Sequence, residues 1–185
     1  MFKRMGFLSI PLVVLGLLVA NIGVYTAHAH NWDGYHWNKG GNIYIYNYNT
    51  AVFWGDAEAA RQDAWNQIPI LWNYNINYHP SENGWHIHVF DGNWGNTGWS
   101  GLATIEDIGW DWGCWCFRHI NHGLARYNSY YGYSAYWRQY VFCQEIFHTY
   151  GFQHDDSNGC MDYTPSTNRL VPHNVNDFYG RYQNH

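Results

Sequence analysis

Between Val141 and Tyr163 the chain reads VFCQEIFHTYGFQHDDSNGCMDY, and the polar residues in this stretch constrain the fold more than any other feature. Side chains three and four apart stack on one side of a helix, so Gln144, Glu145 and His148 face one point in space. Gly151 can adopt the positive φ that turns a chain sharply at a helix end. His154 can then swing back toward the same point, which makes a metal-site geometry. The spacing predicts a helix from Ser134 to Tyr150, with Ser134 as its cap and two stripes along it. Tyr136, Tyr140, Cys143, Phe147 and Tyr150 form the first, a core stripe. Trp137, Val141, Gln144, Glu145 and His148 form the second, which turns polar where a purely structural helix would have stayed apolar.

Glu145, His148, Gly151 and His154 reproduce the pattern HExxHxxGxxH at every position but the first, which is Gln144, and Cys160-Met161-Asp162-Tyr163 follows at short spacing. In these residues the chain resembles the metzincin metallopeptidases, whose signature pairs that helix with a Met-turn beneath a zinc ion. It looks most like small secreted bacterial metzincin-like proteins with CQExxH in place of HExxH. The resemblance is close over 141–163 and loose elsewhere. It implies an α+β zincin domain: a twisted mixed sheet of about five strands, an active-site helix, the Met-turn carrying Met161, and a short C-terminal helix. It further implies a bound Zn2+ and an extended peptide or protein substrate. Glu145 would be the general base and acid, and Tyr163 a hydroxyl that assists the tetrahedral intermediate.

Zinc catalysis needs three protein ligands and an open position. The metal then polarises the scissile carbonyl and acidifies a water, and a carboxylate moves the protons. His148 and His154 supply two ligands. Gln144 stands at the third position, where an amide oxygen is a poorer donor than an imidazole. Three readings remain: Gln144 ligates through its carbonyl, the two histidines hold zinc with waters or a nearby donor, or the site is degenerate. The last would make the chain an inactive metzincin-fold module that holds an extended peptide or a cell-surface polysaccharide.

Lys3 and Arg4 precede an apolar run from Phe7 to Ala20 and an Ala27-His28-Ala29 cleavage signal. This is the pattern of a secretory leader over residues 1–29, and its apolar run is shorter than the roughly 20 residues a membrane span needs. One secreted, monomeric domain is expected over 30–185. Nine Lys and Arg against 14 Asp and Glu give a net charge of −5, and loss of Lys3 and Arg4 makes it −7. A nucleic acid or an anionic membrane surface therefore has no electrostatic support as a partner.

Four cysteines in an exported chain point to two disulfides. Cys114 and Cys116 fall two apart on an expected strand, where a mutual bridge would be strained. The favoured pairings therefore join Cys143 and Cys160 each to one of that pair. A metal cluster of Cys114, Cys116, His119 and His122 is the competing arrangement.

The alternating segment Asn42 to Tyr48 reads as a strand, and Asp56 to Gln67 as a helix with Asp56 at its cap. Further strands are expected at Asn73 to Tyr78, Trp85 to Phe90 and Trp115 to Ile120. Leu102 to Ile105 reads as an edge strand, and the metzincin resemblance implies that it pairs with the backbone of an extended peptide. Gly123 to Gly132 reads as an irregular aromatic loop, and Val175 to Tyr182 as a closing helix.

Overall fold

A computed structural model describes residues 34–37, 43–68, 77–78, 86–113 and 115–182. The expected leader and most of the segment from Asn73 to Tyr78 lie outside these residues. The described strands are β1 (His36–Trp37), β2 (Tyr44–Asn47), β3 (Asn77–Tyr78), β4 (Ile87–Gly92), β5 (Gly101–Asp111) and β6 (Cys116–Asn128). The described α-helices are α1 (Trp54–Gln67), α2 (Ala135–His148) and α3 (Pro172–Tyr182), with a 3-10 turn over Ser129–Tyr131. The mixed α and β architecture expected from the sequence is present.

The strands form one sheet. β3, β2, β4 and β6 follow one another in parallel, and β1 is parallel to β6. β5 runs antiparallel to β6 along most of its length. It takes up one side of β6, so β1 and β4 share the other, and β5 is left at the sheet edge beside α2. Leu102 to Ile105 is thus an edge strand, as expected, but β5 continues to Asp111 through three register shifts. Such bulges let a long edge strand bend without ending.

Three readings are corrected here. β6 runs on to Asn128 where a loop was expected from Gly123. Gly123 behaves as a close-approach residue, since a Cβ there would stand 2.9 Å from Thr149 Cβ. Glycine inside a strand often marks such a contact and not a break. In α1 the helix begins at Trp54, and Asp56 sits in its first turn, bonded to Arg138 and Gln139 of α2. Ser134 occupies the N-cap position of α2, but its side chain makes no capping bond.

The core lies between the sheet and the helices. Ala57, Ala60 and Ala64 of α1 are buried, as their i, i+3, i+7 spacing requires. On α2 every residue from Tyr140 to His148 is buried, so both expected stripes are inside while Tyr136 and Trp137 remain exposed. α3 opens with Pro172, a favoured first helical residue. It inserts Phe178 and Tyr182, both fully buried, against Phe147, Tyr150 and Phe152. Removing one such ring costs about 3–5 kcal/mol, so α3 is what secures the turn after α2.

Candidate metal and catalytic site

The last turn of α2 and the loop beyond it bring two imidazoles together. His148 Nδ1 lies 2.6 Å from the carbonyl of Phe152. A carbonyl only accepts, so Nδ1 carries the proton and Nε2 carries the lone pair. That Nε2 is 3.2 Å from Nε2 of His154, with the two rings nearly perpendicular. Burial pushes His148 down to about 4. Burial also lowers His154, against the opposing charges of Asp155 and Asp162. Both rings are therefore neutral near pH 7, the form that binds metal.

The turn between them depends on Gly151. Its φ is +84°, and a Cβ at this position would overlap the carbonyl of Tyr35. Two independent demands, backbone conformation and space, select glycine here.

Glu145 lies beneath the edge strand. It is buried, and burial pushes its carboxyl up to about 8, against the Ala103 N–H that bonds to it from β5. A Cβ on Gly101 would overlap Glu145 Oε1 and Val141 Cγ1. Gly101 is thus the residue that lets β5 descend onto the carboxylate. In front of Glu145 opens a cleft of about 1210 Å³, bordered by Gly101 and Ala103 on one side and by Gln144, His148, His154 and Tyr163 on the other.

The cleft's upper wall has its own anchor. Asn128 is fully buried and bonds the loop before β5 from one side chain. Its Oδ1 accepts from the Trp94 N–H, and its Nδ2 donates to Gly95 O, Thr97 Oγ1 and Trp99 O. The sequence offered no signal for this hub, because Asn128 falls in the stretch read as a loop.

Gln144 has its amide nitrogen engaged: it donates to Tyr140 Oη at 2.8 Å and to the Asp162 carbonyl at 3.3 Å. Burial raises the Tyr140 phenol to about 12, so it stays protonated and donates to the same carbonyl at 2.8 Å. With its nitrogen held, the oxygen is the atom Gln144 can offer a cation. Met161 and Cys160 are buried in the core behind this turn. Tyr163 is 73% exposed, and its ring lies 4.0 Å from that of His154.

One pairing differs from expectation. Cys143 and Cys160 are bonded to each other, with Cα atoms 6.0 Å apart, well within bridging range. Neither is joined to Cys114 or Cys116, and Cys114 lies outside the described residues. The expected helix and Met-turn are thus stapled directly, without the sheet. Of the competing cysteine and histidine cluster, the two histidines diverge. His119 faces Asp111 and His36, whereas His122 faces Glu106 and His88.

Buried His and Asp groups elsewhere could also hold a metal ion. Among the described residues they are His36, Asp111 and His119, and Asp155, His173 and Asp177. Sequence reasoning missed both sets: the first meets only through strand register, and in the second the i,i+4 pair His173 and Asp177 gains Asp155 only through the fold. No protein-family model matches the chain, and a search of curated proteins found no similar sequence.

Proposed function

We propose that the chain is a secreted, zinc-dependent endopeptidase of the metzincin type, with Gln144 in place of one histidine ligand. The observation that carries this reading is the convergence of His148 and His154 beside a buried carboxyl in an open cleft. Two zinc–nitrogen bonds of about 2.0–2.1 Å at a tetrahedral angle put their nitrogens about 3.3 Å apart, and the His148 and His154 nitrogens are 3.2 Å apart. The bond from His148 Nδ1 to Phe152 O fixes the ring as metal-binding histidines require. His148, His154 and the amide oxygen of Gln144 would hold the ion.

Zinc, when bound, supplies a Lewis acid and an acidified water. Glu145, beside the cleft histidines, would accept a proton from the attacking water and pass it to the departing amine. The outer edge of β5 pairs with the substrate backbone, which gives affinity without demanding one side chain. Tyr163 donates its hydroxyl to the developing oxyanion. The antiparallel strand beside the helix is the placement the metzincin resemblance implies, and the Cys143–Cys160 bridge fits an exported chain.

The alternative is an inactive module that retains an extended peptide or a polysaccharide. Gln144 favours it, as does the row of exposed Trp110, Trp112 and Trp115 in mutual ring contact. Metal analysis and hydrolysis of an unfolded protein decide between them. For the peptidase, His148→Ala or His154→Ala lowers zinc by one per chain and removes hydrolysis. Glu145→Ala removes hydrolysis and keeps the metal, and Gln144→His tightens zinc and preserves or raises the rate. Zinc content indifferent to both histidines would leave the binding module as the function.

A further inference from the structure

We propose that His36, Asp111 and His119 form a second, structural site for a divalent transition-metal ion, zinc by its donor set, which clips the strand β1 onto the far end of the sheet. Three strands contribute one ligand each: His36 from β1, Asp111 from the last position of β5, and His119 from β6. His36 and His119 are direct partners in the parallel register of β1 and β6. Their ligand atoms and a carboxylate oxygen of Asp111 all lie within 4.8 Å of one another. His36 and Asp111 are each only 6% exposed. None of these residues belongs to the cleft, and the inference stands whether or not the cleft is a peptidase site.

The distances argue for an ion between these groups in preference to a direct bond. A hydrogen bond between a charged imidazole and a carboxylate is short, about 2.7–2.9 Å. Here Asp111 Oδ2 is 3.4 Å from His36 Nε2, and Oδ1 is 3.6 Å from His119 Nε2. Two ligands on one tetrahedral zinc, with bonds of about 2.0–2.2 Å, stand about 3.4 Å apart.

The tautomer agrees. His36 Nδ1 is 2.7 Å from the Gly34 carbonyl, which can only accept, so in the neutral ring the lone pair of Nε2 points at the carboxylate. A lone pair facing a carboxylate is repulsive until a positive charge joins them, either a proton on Nε2 or a metal ion, and the 3.4 Å separation is longer than the protonated pair would set. The Nδ1 bond is also the outer partner that orients a ligating histidine. Imidazole with a single carboxylate selects a metal of zinc-like softness over calcium or magnesium.

The site's role follows from what β1 touches. The Trp37 indole donates to the Thr149 carbonyl at 2.8 Å, and the Trp37 N–H donates to Tyr182 Oη at 3.2 Å. Arg181 donates to the Tyr35 carbonyl at 2.7 Å, the same carbonyl that crowds Gly151. An ion at the other end of β1 would hold the strand against the turn that carries His154. A metal in this position is structural: it fastens one segment to another.

The test uses the full secreted chain, loaded with zinc and freed of excess, with metal counted by mass spectrometry. Two zinc ions per chain are expected, falling to one in Asp111→Asn and to one in the His148→Ala/His154→Ala double variant. All three changes together should leave none. Asparagine retains the Oδ1 that accepts the Gly113 N–H at 2.7 Å, so the turn survives the change. His119→Gln serves as a second probe, with circular dichroism reporting that each variant is folded. In the double variant, where the cleft histidines are gone, a chelator should lower the melting temperature, and adding Asp111→Asn should remove that response. Cobalt in the same background should give a visible absorption band that Asp111→Asn abolishes. Zinc content unchanged by both Asp111→Asn and His119→Gln, or a double variant holding no zinc, would overturn the proposal.

Discussion

The two histidine groups differ in how they meet solvent. His148 and His154 sit at the floor of a cleft, with the exposed ring of Tyr163 over His154. His36, Asp111 and His119 are enclosed by three strands, with two of the three almost wholly buried. A metal that must accept a substrate needs an open position, whereas a metal that only ties segments together is best closed off. Under the two proposals the same side-chain chemistry would serve two purposes, and access would decide which. In the cleft, a buried carboxyl, Glu145, stands beside the histidines.

Gly101→Ala is the sharpest way to separate the two. The added methyl would meet Glu145 Oε1 and force β5 off the carboxylate. Displacement of a reacting group by about 1 Å can cost on the order of 100-fold in rate. Hydrolysis should fall by that order, while zinc attributed to the His36 cluster is retained. A variant with unimpaired hydrolysis would show that the contact between β5 and Glu145 plays no part in the reaction.

A chelator offers a milder contrast. Cleft zinc, reachable from solvent, should leave several-fold faster than zinc enclosed by β1, β5 and β6, so metal release from the parent protein should have two phases. Only the slow phase should survive in the His148→Ala/His154→Ala variant. Release in a single phase would mean that access does not distinguish the groups.

The smallest effect concerns histidines that are crowded and not ligating. His86 is lowered from its ordinary value of 6.5 by burial first, and then by His88 and His122. Tyr46 packs against it from β2. Below that ordinary value the unfolded chain binds a proton that the folded chain resists, so stability falls as the pH drops below 6.5. Melting temperatures from pH 7 to 5 should show this slope, and His86→Asn should flatten it slightly. An unchanged slope would assign the acid sensitivity to other groups.

What was legible in the sequence was local. Helical spacing set Gln144, Glu145 and His148 on one side of α2, and Gly151 marked the turn, because both follow from neighbours within one or two turns of chain. The enclosed cluster was invisible for the opposite reason: residues 36, 111 and 119 meet only through strand register, which no short spacing records. Gly123 looked like a breaker because its meaning lies in Thr149, distant in sequence. The disulfide pairing was misjudged in a related way. Avoiding strain between Cys114 and Cys116 was a local argument, and it said nothing about how near Cys160 comes to Cys143 on α2. Asn128, with its ring of loop partners, was likewise a tertiary fact.

The bridge between Cys143 and Cys160 makes the intervening segment a covalent ring. Gln144, Glu145, His148, Gly151 and His154 are all carried on that ring. A single cut of the backbone within it, for instance at the surface residues Asp156 to Asn158, would open the ring without releasing either half. The cleft residues are thereby kept on one connected molecule after a nick that would split an unbridged chain in two.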